Sequence, residues 1–423
     1  MKNPNLYERP TFFWKWRTLE DWKMATSFTK ANYTNIIMLL VFIFIAIRQV
    51  KAKQKEAAKH GYEHRYIKRD EFPTVEEQPD FEWEKTEPIK LRPFKPKYHL
   101  TMALENLIPS ELLQMDKTYR DRIALRRDTM AKHGTHVVAV NDDYIIRPAV
   151  VEHYEFLMGT YLPLRFPKMF KLHETDYEMG KTFMLENLVT GAIFPANVSA
   201  STPTTRLLET LGRTIDEDFL FLHAEEDEEQ DDSKSSTPSE KPNPKDDDKK
   251  YILQAYVVCC PSGFDPAEKL GKRLSAIHTP VPGYEAKISG SMDRFFARLE
   301  VGKYVKRANW SIQTHDNLYA AGPGTNHAHE GDVVEEMADE ELDLDKTFMR
   351  CERQTLHRLP KSKGLVFAFK TYLYPIREIK EVDGLGEELA QAVDGLKEGS
   401  VPAMHFYKRG AVWGEAVKKY LRS

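Results

Sequence analysis

The sequence predicts an α+β body carried behind a single N-terminal transmembrane helix. Three observations lead there. Twelve consecutive apolar residues, Ile36 to Ile47, interrupt an otherwise polar N-terminus. Beyond residue 99, short strand-like and helix-like runs follow one another without the regular strand–helix alternation of a parallel sheet. With 41% of its 423 residues hydrophobic and 11% aromatic, the chain can bury a full core.

Residues 1–30 form an N-terminal tail with Trp14, Trp16, Trp22 and Phe28, side chains suited to an interfacial belt. With its flanks, the apolar run makes a segment at 31–50 of about the 20 residues a bilayer requires. A buried core helix or a signal h-region would also suit so short a run, although no A-x-A-like cleavage site follows it. Arg48, Lys51, Lys53, Lys55 and Lys59 slightly outnumber the cations ahead of the segment. That excess places the body in the cytosol, as for an endoplasmic reticulum membrane protein. Residues 51–98 are charged and proline-punctuated and read as a stem or extended arm. Phe72, Phe81, Trp83 and Phe94 give it points of docking.

The globular body is expected over 99–423. Ser110 can cap a helix, Leu112, Met115, Tyr119, Ile123 and Met130 fall at helical spacing, and Gly134 ends the run. "THVVAV" reads as a strand and "AVVEHYEFLMGTYLPLRFP" as a helix stopped by proline. "RTIDEDFLFLH" and "YILQAYVVCCPSG" read as strands on either side of a disordered acidic insertion, 225–250, that cannot bury anything. Helices "DPAEKLGKRLSAIH" and "SMDRFFARLEVG" then flank a Pro-rich elbow, "KRANWSIQTHD" is strand-like, and Leu365 to Tyr374 is an apolar strand. The remainder, to Ser423, is helical.

Composition excludes some functions. A net charge of −4 argues against nucleic acid as a partner. Cys259, Cys260 and Cys351 cannot build a disulfide framework, a zinc finger or a four-cysteine iron–sulfur site. Cys351 sits beside charges that could favour a thiolate, or is an ordinary small residue.

Three constellations carry possible chemistry. In "LSAIHTPVPGY", His278 ends a helix ahead of Pro280 and Pro282. A fixed imidazole there suits an axial metal or haem ligand, or a histidine stabilised by the helix dipole. In "KRANWSIQ", Arg307 could meet a carboxylate bidentately beside Asn309 and Trp310, or could form a surface ion pair. "RCERQTLHRLP" crowds Arg350, Glu352, Arg353, His357 and Arg358 ahead of the apolar strand. A different class also fits the layout. A Golgi-type glycosyltransferase has a short tail, one membrane segment and a stem, and often a D-x-D. Asp216-Glu217-Asp218 and Asp343-Leu344-Asp345 match that pattern formally.

Taken in order, five pieces carry a resemblance: "LIPSELLQMDKTYRDRIALRR", "RFPKMF", "VVCCPSGFDPAEKLGKRLSAIHTPVPGY", "RFFARLEVGKYVKRANWSI" and "RCERQTLHRLPKSKGLVFAFKTYLYPI". Together they resemble the haem-dependent oxidative N-demethylase-like proteins, whose fungal members are called HRQ-type. The resemblance implies a PAS-like haem-binding core with added helices, holding haem b and oxidising the methyl group of a small amine with release of formaldehyde. It implies His278 as the axial ligand, with His357 as runner-up. Arg307, Asn309, Arg353 and Gln354 follow as pocket or propionate residues. Glu352 stands where the HRQ pattern has histidine, which removes a histidine ligand at that position. Lacking iron–sulfur cysteines and a nucleotide-binding glycine pattern, the chain would need a separate reductase or ferredoxin-like electron donor. A non-catalytic haem or small-molecule binding module of the same PAS-like type is the alternative, and the single-pass glycosyltransferase the second.

Overall fold

The computed structural model describes residues 43–45, 47–48, 66–177, 180–225, 249–322 and 324–423. The chain divides into two compact units, Met1–His64 and Arg65–Ser423. In the first, the described residues are helical and expose Ile43, Phe44, Ile45 and Ile47. No helix among the described residues is long and apolar enough to cross a membrane. The expected transmembrane helix over 31–50, and with it the single-pass endoplasmic reticulum localisation, is therefore corrected. The physical reason lies in length: twelve apolar residues rise about 18 Å as a helix, against a hydrocarbon core of about 30 Å. The rest of that segment lies outside the described residues, as do 226–248 of the acidic insertion.

The second unit is α+β and is built on a large antiparallel sheet. Along the chain come β1 (Glu105–Asn106), α1 (Tyr119–His133), β2 (Val138–Val140) and α2 (Asp143–Phe156). The last helix runs on through a π-helical turn, Leu157–Tyr161. Next are β3 (Phe170–Tyr177), β4 (Gly180–Asn187), β5 (Ala192–Pro195), α3 (Thr204–Thr214), β6 (Asp218–Ala224) and β7 (Tyr251–Val257). Short helices α4 (Leu274–His278), α5 (Tyr284–Lys287) and α6 (Ser289–Arg298) lead into β8 (Tyr304–Gln313), β9 (Phe348–Arg358) and β10 (Leu365–Pro375). The chain closes with α7 (Ile376–Glu381), α8 (Leu385–Glu398), α9 (Met404–Tyr407) and α10 (Gly410–Arg422).

Seven strands pair in the order β1-β8-β9-β10-β6-β7-β2, and β3-β4-β5 form a separate small sheet. Every neighbouring pair in the large sheet is antiparallel. Glu225 donates its backbone N–H to Lys250 across the base of the insertion, at 2.8 Å. The charged stretch 348–358, expected as a mouth ahead of a strand, is itself an interior strand, β9, paired with β10 along its whole length. The helix expected from Ser110 begins later, at Tyr119, after a 3-10 turn over Pro109–Glu111. Gly134 ends it with φ at +51°, a conformation that glycine adopts without Cβ strain.

Period-two alternation gives the sheet two faces with different tasks. One packs Phe219, Phe221, Val366 and Ala368 against α1, α2 and α3. Farther along, the same face packs Trp310, Met349 and Cys351 against α7, α8 and α10. The other face turns Val305, Leu356, Leu222 and Leu365 toward α4, α5 and α6. The arm at 66–98 lies on this unit through its aromatic residues. Phe72 stacks on Phe156 at 3.9 Å, Phe94 meets Trp310 at 6.0 Å, and Phe81 and Trp83 reach Phe166 and Tyr119. Farther on, the backbone of Tyr98 exchanges hydrogen bonds with Gly395 and Ser400. The approach is so close that a Cβ at Gly399 would lie 1.5 Å from the Tyr98 carbonyl oxygen.

Beneath the first face lies a buried charge network. Asp216 pairs with Arg122 (3.0 Å) and Lys370 (3.5 Å), and Asp218 with Arg126 (2.6 Å). Glu217, between them, has Arg353 Nη1 4.0 Å from its carboxylate. Burial pushes Glu217 up to about 7, against the pull of Arg353 and Lys370. Its folded pKa thus exceeds the ordinary value, so its contribution to stability is full below about 4.5 and is lost as pH rises through 7. Glu217→Gln is expected to remove that loss and to be more stable than the native chain at pH 8, by on the order of 3 kcal/mol. Denaturant unfolding of both proteins at pH 5 and pH 8 checks this. Because buried His153 and His357 are held below their usual pKa and act in the opposite sense, the difference between the two proteins is the informative quantity.

Candidate functional site

Between the second face of the sheet and helices α4 to α6 lies a cavity of about 520 Å³, within the range of small-molecule and cofactor sites. Most of its wall is apolar. Leu220, Leu222, Leu253, Phe367 and Phe369 rise from the sheet, and Leu274, Ile277, Ile288, Met292 and Phe296 descend from the helices. The helices bury these faces because their apolar residues recur at three- and four-residue spacing, as Ile288, Met292 and Phe296 do. One end of the cavity is polar, with Arg307, Asn309, Glu352, Gln354 and Lys408.

His278 ends the one-turn helix α4 and lines the cavity. Its Nδ1 lies 2.8 Å from the carbonyl oxygen of Leu274. A carbonyl can only accept, so Nδ1 carries the hydrogen and Nε2 keeps its lone pair. The ring stacks on Tyr284, with centroids 4.8 Å apart. Burial lowers its pKa, outweighing the carbonyl, so the imidazole is held neutral. An anchored, neutral ring with its second nitrogen available is the arrangement of a histidine ligand.

Arg307 and Asn309 lie on the cavity side of β8, opposite Gln354 and Glu352 of β9. Buried Nε of Arg307 has no hydrogen-bond partner, and burial lowers the guanidinium pKa although Tyr98 and Glu352 act against the shift. A half-buried guanidinium at the cavity wall with an unpartnered Nε suits a bound anion, met with charge-assisted hydrogen bonds. Gln354 donates from Nε2 to the Glu352 carboxylate at 3.1 Å, and Glu352 faces the polar end of the cavity, whose wall also holds Asp265 and Glu268.

The structure thus brings His278, Arg307, Asn309 and Gln354 together. It places Arg353 and His357 on the opposite face of β9, where alternation sends odd-numbered residues. Arg353 donates to the carbonyl oxygens of Glu111 (2.6 Å) and Leu112 (3.1 Å) and does not line the cavity. His357 stacks on Tyr304 at 4.6 Å, beside His153 at 5.4 Å, with no hydrogen bond to either ring nitrogen. Arg358 clamps carbonyl oxygens of Phe296 and Leu299 and so ties α6 to the sheet.

Other sequence candidates resolve differently. The first D-x-D is internal, its three carboxylates each about 1% exposed and surrounded by Arg122, Arg126, Arg353 and Lys370. The second pairs with Lys346 and Arg377 at the surface. Cys351 is fully buried, and burial pushes its thiol up, so it is no thiolate. Among the described residues, no group of three or more His, Cys, Asp or Glu side chains is placed to hold a metal ion by itself.

Sequence reasoning did not single out several polar residues of the cavity wall, His327 and Lys408 among them. His327, from the loop after β8, is buried against Tyr407 with centroids at 4.3 Å, and burial takes it down to about 3. Lys408 arrives from the C-terminal helices, and nothing in its local sequence marks it. Glu352 could have been placed from Gln354 by strand alternation alone. A family model described as "Haem-dependent oxidative N-demethylase, alpha subunit-like" matches residues 103–418.

Proposed function

The chain belongs to the haem-dependent oxidative N-demethylase, alpha subunit-like, family, and from that premise we propose that its cavity holds haem b and oxidises the methyl group of a small secondary amine. A haem brings four nitrogen ligands of its own and needs one from the protein. His278 would supply it, and Arg307 would receive a propionate. The observation that carries this reading is the His278 ring, tied by Nδ1 to Leu274 and presenting a lone pair on the wall of an apolar cavity. The residues present fit the group: one anchored neutral imidazole, a half-buried guanidinium with an unpartnered Nε, and apolar walls. When bound, haem supplies oxygen activation and the oxidation of the methyl carbon.

The chain's own residues do the rest. The Glu352 carboxylate, steadied by Gln354, offers an anion to the ammonium form of an amine. Asn309 holds the polar end in register through Lys408. Leucine and phenylalanine walls exclude water, which strengthens each of these interactions. Cys259, Cys260 and Cys351 are all buried and free, so electrons would come from a separate reductase or ferredoxin-like partner.

The full chain supplied with haem is expected to show a Soret band with about one haem per chain by pyridine haemochrome. With a chemical or enzymatic reductant and oxygen it is expected to release formaldehyde from a secondary N-methylamine. A folded protein that stays colourless would remove this function.

A further inference from the structure

Lys408 lines the cavity, and holding a cofactor gives it no role of its own. It is 3% exposed and lines the polar end. Its backbone is fixed on both sides. Its N–H donates to Met404 at 3.0 Å, its carbonyl accepts from Trp413 Nε1 at 3.2 Å, and Arg409, in the left-handed region with φ at +58°, stops the turn there. Such a strained non-glycine residue persists only where its surroundings hold it.

The side chain reaches Asn309 Oδ1 (3.1 Å) and the carbonyl oxygen of Trp310. Both partners are neutral acceptors. Among the described residues Lys408 has no hydrogen bond or ion pair to a carboxylate. Two N–H donors are used, Cε takes a third position, and one tetrahedral position remains. In an amine that position is the lone pair. The groups facing it are Arg307, Glu352, Cys351, His327 and the rings of Tyr98 and Trp310, each ring centroid 5.6 Å away. Burial pulls the Lys408 pKa down to about 8, Arg307 acts in the same direction, and Glu352 and Cys351 act against it.

We propose that Lys408 is a carbonyl-reactive amine that captures the one-carbon aldehyde set free when an N-methyl group is oxidised in this cavity. The proposal rests on the proposed function for the identity of that aldehyde, and on the geometry of Lys408 for the reaction. The nitrogen lone pair forms a C–N bond to the carbonyl carbon as the C=O π bond breaks. A proton passes from nitrogen to oxygen and gives a carbinolamine. Loss of water gives the imine, and return of water releases amine and aldehyde. No oxidant or reductant is consumed. An amine held between fixed acceptors in a dry pocket is the arrangement that activates lysine toward carbonyls.

The test is a methylation map. The full chain, with and without haem, is exposed at pH 7 to limiting ¹³C-formaldehyde and cyanoborohydride, which reduces the imine to a stable N-methyl group. Peptides are then read by mass spectrometry. At pH 7 an amine of pKa near 8 is neutral about two orders of magnitude more often than an ordinary lysine. Label at Lys408 is therefore expected to exceed that at exposed Lys132 by about tenfold or more after allowing for restricted access. A Lys408→Arg variant is expected to lose that site from the map and keep the others. The wild-type map decides the matter even where the variant fails to fold.

Label at Lys408 no greater than at Lys132 overturns the proposal. So does label present without haem and lost on loading, which would make Lys408 the counter-ion of a bound carboxylate. Because the map is read on the haem-free chain too, failure of haem binding and failure of Lys408 to react are separate results.

Discussion

Replacing His278 with alanine is expected to lower haem affinity by about a hundredfold or more and to abolish the Soret band. Even residues that merely orient a metal ligand cost ten- to a hundredfold when removed. The ring is held by Leu274 and Tyr284, at the end of a helix of five residues, and only Leu274 of that helix is buried. The substitution therefore removes the proposed ligand without opening the core, and the fold is expected to survive with a loss of about 1 kcal/mol. Added imidazole is expected to restore the band in the alanine variant by entering the vacated volume. A band that persists unchanged in the variant would assign the ligand elsewhere in the cavity.

The largest expected effect on stability belongs to Asp218. Its carboxylate accepts from Arg126 Nη1 at 2.6 Å and from the backbone N–H groups of Cys259 and Cys260, each at 2.8 Å. Arg126 is 1% exposed. Asp218→Ala leaves a buried guanidinium without its anion and two amides without an acceptor. Breaking a buried pair from one side costs about 3–5 kcal/mol, and each orphaned amide adds about 1–3 kcal/mol. A drop in Tm of about 10 °C or more is expected, with reduced soluble yield. Arg126→Met combined with Asp218→Asn is expected to lose much less than the sum of the single changes, because the double variant buries no lone charge. Thermal unfolding of the native chain, Asp218→Ala, the two single variants Arg126→Met and Asp218→Asn, and the double variant checks both statements.

What the sequence disclosed follows from how local each signal is. His278 stood out because a helix end and two prolines define its position within a few residues. Arg307 and Asn309 were found together because residues two apart on a strand share a face. The same rule separates Arg353 from Gln354, and it was not applied there because β9 did not read as a strand. Its face toward the first core carries Arg353, Thr355 and His357 among Met349 and Cys351, so the apolar alternation is broken by polar groups, of which Arg353 is met by the carbonyl oxygens of Glu111 and Leu112. β3 to β5 were not anticipated either, since β3 is largely polar, β5 is only four residues long, and the small sheet is fixed by pairing with itself. Lys408 was invisible for a different reason. It meets Asn309 from 99 positions away in the chain, and no window of sequence contains both. The transmembrane reading gave too much weight to hydrophobicity and too little to length.

The seam that joins Tyr98 to Gly395 and Ser400 governs when the cavity can come into being. Tyr98, Leu100 and Met102, early in the unit's sequence, wall the cavity together with Met404, Tyr407 and Lys408, about three hundred residues later in the chain. Leu100 also donates its backbone N–H to Ser400 Oγ, at 3.0 Å. A nascent chain emerging N-terminus first can form α1, α2 and the small β3-β4-β5 sheet early. It cannot close this wall until its final helices have left the ribosome. Cofactor capture is therefore a late event in the life of the polypeptide, and a truncated or stalled product would present an open trough in place of a pocket.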